Sequence, residues 1–236
     1  MLDICTGTGC IALLLHASLS PHTSTHIQGV DISPIAIALA RRNLQHNIHL
    51  GNFPQPSPSN PPPALAPGQA KPQRGTIHFT LNDLFSPSLL SSLATTPWDV
   101  LISNPPYISR QSFAHDTSRS VRNHEPRLAL VPDHDGASVE LLCEPEDVFY
   151  TQLLQLAKSL SPSPRLVLLE VAGIEQAERV VGMVGRDDEL QRLYPRVEIW
   201  RDHPHPEYES HEFGERAVPI RGSGGARAVY LCNGED

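Results

Sequence analysis

At 236 residues the chain is long enough to bury the core of one α/β domain, and a single domain over residues 1–236 is the expectation. A formal net charge of −8 argues against a surface built to track phosphate backbones, so nucleic acid is not expected as a partner. Cys5, Cys10, Cys143 and Cys232 form no CxxC pair, and no apolar run approaches the ~18 residues that cross a bilayer, which points to an intracellular protein without zinc site, disulfide framework or membrane partner. A monomer is the expectation.

In chain order, Met1 to Cys5 reads as the end of a buried strand, followed at once by Thr6-Gly7-Thr8-Gly9 and an apolar helix over Cys10 to Leu19. A core strand that opens on its last turn is read as truncated, with N-terminal sequence expected ahead of Met1. A short strand, His26 to Val30, ends in Asp31-Ile32-Ser33-Pro34, where Ser33 can cap a helix that starts on Pro34 and runs to about Asn47. Residues 51–75 are dominated by Pro, Ser, Asn, Gln and Ala, which cannot offset ordering entropy by burial, so they are read as a disordered insertion.

Strand signals return at Thr76 to Leu81 and at Trp98 to Ser103, the latter running into Asn104-Pro105-Pro106-Tyr107. A long polar connection from Ile108 to Glu146 precedes a helix near Val148 to Leu160, a strand over Arg165 to Val171 and a helix near Ile174 to Val184. Val197 to Arg201 and Ala226 to Cys232 are two further strands, joined by a charged loop and suited to antiparallel pairing. The alternation implies an α/β, doubly wound, mostly parallel sheet that places Gly7, Asp31, Asp83 and Asn104 at the carboxyl ends of strands, where such sheets bind ligands.

Gly7 to Ala12 fits a GxGxxG/A turn, in which missing side chains let a ligand approach the backbone and a helix N-terminus offers N–H groups. The competing reading is a tight turn with no ligand. Asp31, about twenty residues on, is placed to accept both hydroxyls of a ribose, or else to act only as an acid at a helix N-terminus. These two features also fit a nicotinamide dehydrogenase.

Asn104-Pro105-Pro106-Tyr107 separates the readings. A planar amide or amine nitrogen has a delocalised lone pair, and a site that methylates it must hold its two N–H groups so that the lone pair faces the electrophile. The Asn104 side-chain oxygen and the Pro105 carbonyl can accept those protons, Pro105 and Pro106 stiffen the acceptor pair, and Tyr107 can wall the positive centre with a ring face. No general base is needed. An ordinary turn after a strand is the plainer alternative, but it leaves unexplained why the three features fall at successive strand ends.

Here the sequence resembles the HemK/PrmC family of release factor N5-glutamine methyltransferases, within the class I S-adenosylmethionine-dependent group and its seven-stranded Rossmann-like sheet. The resemblance runs through Leu2 to Gly9, Val30-Asp31-Ile32-Ser33, Asn82-Asp83-Leu84-Phe85, Asn104 to Ile108 and Glu125-Pro126-Arg127-Leu128-Ala129-Leu130. It implies S-adenosylmethionine as cofactor, with Cys5, Thr6, Gly7, Thr8 and Gly9 at its methionine part, Asp31 at its ribose, Asp83 and Leu84 at its adenine, and Asn104 beside it.

The resemblance further implies that Asn104, Pro105, Pro106 and Tyr107 bind a glutamine side chain of a peptide chain release factor, with Asn104, Pro105 and Tyr107 catalytic, and it suggests a mitochondrial or else a cytoplasmic location. Cys5 stands where many relatives have Gly, and the helical domain that relatives use to dock the release factor is absent from the sequence. A cofactor-binding remnant and a DNA adenine N6-methyltransferase, which shares the tetrapeptide, are the alternatives.

Three further features are weighed. The segment from His203 to Glu212 holds His and Glu without metal-ligand spacing and reads as a solvated loop. Glu170 ends an apolar strand and receives no role. Arg127 is expected to anchor its own loop, through a carboxylate such as Glu125, with a reach to the substrate backbone as the alternative.

Overall fold

The computed structural model describes residues 1–20, 22–53, 75–132, 143–213 and 216–234. Most of the Pro-rich insertion, residues 54–74, lies outside them. The chain divides into two compact units, Met1–Asp83 and Leu84–Asp236.

In the first unit, strands β1 (Leu2–Ile4), β2 (His26–Asp31) and β3 (Thr76–Leu81) pair in parallel in the order β3-β2-β1. Helix α1 (Cys10–Leu19) follows β1, and α2 (Pro34–His49) follows β2. The Ser33 hydroxyl accepts the Ala36 N–H at 3.2 Å and Pro34 takes the first helical position, so α2 starts where the sequence signals it. Ala12, Leu13, Ile27, Ile37, Ala40 and Phe79 form the buried core between the helices and the strands. Full burial of a large apolar side chain contributes about 2 kcal/mol, so this short list holds the unit together.

Phe79 decides where glycine is required. A Cβ on Gly9 would lie 2.7 Å from the Phe79 ring, and one on Gly29 would lie 2.6 Å from it. The ring fills the space that two missing side chains leave.

The second unit has strand order β4-β5-β7-β6: β4 (Val100–Ser103) and β5 (Leu166–Glu170) are parallel, while β7 (Arg216–Cys232) is antiparallel to both β5 and β6 (Arg196–Phe213). Seven strands among the described residues, mostly parallel with an antiparallel C-terminal pair, give the expected α/β class. Helices α6 (Val148–Ser159) and α7 (Ile174–Gly185) flank β5 in sequence; α7 buries Ala177, Val180, Val181 and Val184 at helical spacing.

Two segments differ from the sequence reading. The polar connection after Ile108 contains two short helices, α4 (Arg110–His115) and α5 (Arg119–His124), because Ser109 and Ser118 cap them: each hydroxyl accepts an N–H three residues on. The stretch from His203 to His211 is not a loop but part of β6. Ile199 pairs with Val229 on one side and with Ile220 on the other, and 208–213 pairs with 221–216, so the two long strands fold back into four runs. Gly222, at φ +91°, makes the return possible, since a Cβ there would lie 2.2 Å from the His203 carbonyl oxygen. Shorter helices α3 (Pro87–Leu93) and α8 (Asp188–Leu193) complete the described elements. No helix among the described residues is long and apolar enough to cross a membrane.

Candidate active site

In the first unit the turn from Cys5 to Gly9 is built on backbone that few residue types adopt. Cys5 has φ +61°, Gly7 φ +55° and Gly9 φ +82°. Cys5 therefore occupies a left-handed position, which costs an L-residue about 1–2 kcal/mol and is the kind of position glycine suits. Thr6 N–H donates to the Val30 carbonyl at 3.0 Å, tying the turn to β2.

Asp31 binds the same turn directly. Its Oδ2 accepts the Gly7 N–H and its Oδ1 the Ser33 N–H, both at 2.8 Å. The acid thus fixes the Gly-rich turn and the entrance to α2 together, while its half-buried carboxylate keeps lone pairs to spare. The Asn82 N–H donates to the Asp31 carbonyl at 3.0 Å, which sets Asp83 just beyond the end of β2. Around Gly7 a Cβ would meet nothing within 4 Å, so the turn has one open face, the opposite of Gly9.

Two residues absent from the sequence reading support this turn. Asp3, buried in β1, accepts the Thr6 hydroxyl at 2.6 Å and the Ala12 N–H at 3.2 Å through Oδ2, while Oδ1 has no partner. Burial pushes its carboxyl up to about 6, against the lowering effect of those two hydrogen bonds. From α2, the Asn43 amide donates to the Thr8 carbonyl at 3.0 Å. An acid in an otherwise apolar strand was the visible signal for Asp3; nothing local marks Asn43.

In the second unit Asn104 directly follows β4 and is exposed, whereas Pro105 and Pro106 are buried and Tyr107 is half-buried. No hydrogen bond among the described residues engages the Asn104 amide. The Tyr107 hydroxyl donates to Glu170 Oε1 at 3.1 Å, and Arg227 also reaches that hydroxyl. Burial, then the Glu170 charge, raises the phenol above its usual range, so it stays a neutral donor. Tyr107 is therefore anchored to the end of β5, and Glu170 gains a role the sequence did not suggest.

Leu84 is half-buried at the start of this unit, and the neighbouring Phe85 meets Phe149 edge-on at 5.1 Å. The hexapeptide from Glu125 to Leu130 continues from the Asn104–Tyr107 turn: the Ile108 N–H donates to the Leu130 carbonyl at 2.9 Å, and Arg127–Ala129 forms a 3-10 turn. The expected Arg127–Glu125 pair does not form. Both side chains are exposed, where an ion pair gains little over solvation.

No family model matches the chain. The probable MRF1 mitochondrial N(5)-glutamine methyltransferase mtq1 of Schizosaccharomyces pombe is 34% identical over 182 residues, covering 76% of this chain and 50% of that protein. The release factor glutamine methyltransferase of Geobacter sulfurreducens is 31% identical over 186 residues, covering 79% and 49%. The chain is thus similar in sequence to release factor glutamine methyltransferases. It spans about half the length of these curated relatives. Among solved structures, the hMettl16 catalytic domain, crystallised in complex with the MAT2A 3'UTR hairpin 1, has a TM-score of 0.50 at 17% identity, covering 100% of this chain and 64% of that one. That likeness is one of fold.

Proposed function

We propose that the chain carries the catalytic part of an S-adenosylmethionine-dependent enzyme that methylates the side-chain amide nitrogen of a glutamine in a peptide chain release factor. The observation that carries the reading is the Asn104 amide, exposed and unengaged at the end of β4 with two buried prolines behind it. The similarity to release factor glutamine methyltransferases supports the same substrate, and the mitochondrial relative of S. pombe supports a mitochondrial location.

The residues of the first unit fit the cofactor. The open face at Gly7 admits a ligand against the backbone, the half-buried Asp31 has acceptor capacity left for ribose hydroxyls, and the turn leads into the N-terminus of α1. Cys5 to Gly9 would line the methionine part, with Asp83 at the adenine. When bound, the cofactor supplies an electrophilic methyl group on a sulfonium, which leaves as a neutral thioether.

Asn104 Oδ1 and the Pro105 carbonyl accept the two N–H protons of the glutamine amide and turn its lone pair out of conjugation toward that methyl group. As the N–C bond forms, one of these protons becomes acidic and is released to solvent, so no residue need act as a base. Pro105 and Pro106 hold the acceptor pair rigid.

Calorimetric titration and a methylation assay test the reading. Asp31→Ala should abolish binding of S-adenosylmethionine, while NAD should bind neither protein. Asn104→Ala should keep cofactor binding and lose on the order of 100-fold in turnover on a release factor, the scale set by misplacing one reacting group. Unchanged turnover in Asn104→Ala would remove the assigned role; no cofactor binding by the folded chain would favour a remnant.

A further inference from the structure

We infer that Gln176 is a positioning residue for the Asn104–Tyr107 turn, holding its last carbonyl from the first turn of α7; this rests on the function proposed above. Gln176 is a buried polar side chain on the apolar face of α7, one turn before Val180 and beside Ala177. Its amide meets four groups. Nε2 donates to the Tyr107 carbonyl at 3.4 Å and to Asp147 Oδ1 at 2.8 Å, while Oε1 accepts the Ala172 N–H at 2.9 Å and faces the Tyr150 hydroxyl at 3.2 Å. The Ala172 N–H can only donate, so it fixes which end of the amide is oxygen and aims Nε2 at Tyr107.

The amide is itself held. Asp147, fully buried, receives Arg179 through Nε and through Nη2, the latter at 3.0 Å, so the acceptor that draws Nε2 forward is fixed in place. The Tyr150 hydroxyl reaches the Glu170 carbonyl at 2.8 Å as well, and Glu170 Oε1 takes the Tyr107 hydroxyl. Tyr107 is thereby gripped at both ends, ring tip and carbonyl, by groups converging from the end of β5 and the start of α7. A Gln at this position serves geometry: it acts on the turn through the Tyr107 carbonyl and so on the placement of the residues before it.

Gln176→Met keeps volume and removes all four polar contacts. Two readouts follow in the full chain. The Ile108 amide, bonded to the Leu130 carbonyl next to Tyr107, should exchange with deuterium on the order of tenfold faster while β5 amides keep their protection. On a release factor, kcat should fall on the order of tenfold with KM for S-adenosylmethionine unchanged. If Gln176→Met does not fold, Tyr150→Phe, which removes the hydroxyl beside Oε1, is read the same way. Unchanged exchange at Ile108, or equal acceleration through β5, overturns the inference. If Ile108 responds but the unsubstituted chain methylates no glutamine, the proposed function fails and the positioning stands.

Discussion

At Asp3 the charge state couples to folding. Its carboxyl is raised from 3.8 to about 6, so between those values the folded chain holds a proton that the unfolded chain has released. The stabilisation from this group is complete below about pH 4 and is lost as pH rises through about 6. Relative to Asp3→Asn, which cannot ionise, the unsubstituted protein should lose up to ~3 kcal/mol between pH 4 and 7, read from urea unfolding at each pH. A constant difference across that range would mean that the buried carboxyl is solvated when folded. Residue by residue, Gly7, Gly9 and Asp31 were legible because spacing reports a turn and an acid. The left-handed backbone at Cys5 was not legible, since a positive φ leaves no mark on a cysteine's own sequence. Gln176 was hidden by its own helix: one polar residue on an apolar face reads as noise until its partners converge on it.

At the level of elements, the β6/β7 pairing rests on Glu198. Burial alone would raise its carboxyl, but hydrogen bonds from Arg221, Trp200 and Arg196 outweigh that and hold it near about 2. Its contribution is present above about pH 4.5 and falls away as pH drops toward 2. Glu198→Ala should destabilise the chain at neutral pH by ~3 kcal/mol, because two arginines lose a buried partner, and the urea midpoint should fall accordingly. A shift within error would make the cluster a surface pair.

The Ser33-Pro34 signature announced α2, and the same signature at Ser86-Pro87 opens α3, where the hydroxyl accepts the Ser88 N–H at 3.3 Å. The second was missed because seven residues carry too little periodicity to confirm a helix. The fold-back within β6 and β7 was missed for another reason. Its polar residues pair with partners chosen by a glycine return at Gly222, and no local pattern encodes that register.

For the molecule as a whole, the alternation of strands and helices was readable, and it fixed the α/β class and which residues end their strands. If S-adenosylmethionine binds only the folded chain, a concentration one hundred times its dissociation constant should add ~2.7 kcal/mol of stability, seen as a higher melting temperature, while the same excess of NAD should add none. No shift with S-adenosylmethionine would leave the first unit's turn without its ligand.

The outer run of β6 has a consequence at the same scale. Residues 208–213 pair with 216–221 on one flank only among the described pairings, so a row of backbone donors and acceptors faces outward. Such a row is a template on which another chain could stack. Glu209, Ser210 and His211 on that run are exposed, and Glu209 is paired to Arg201 across the fold-back at 3.0 Å. Charged and polar side chains on such an edge disfavour that stacking, because a second strand laid there would strip them of water, so the residues first read as a solvated loop blunt the edge they form.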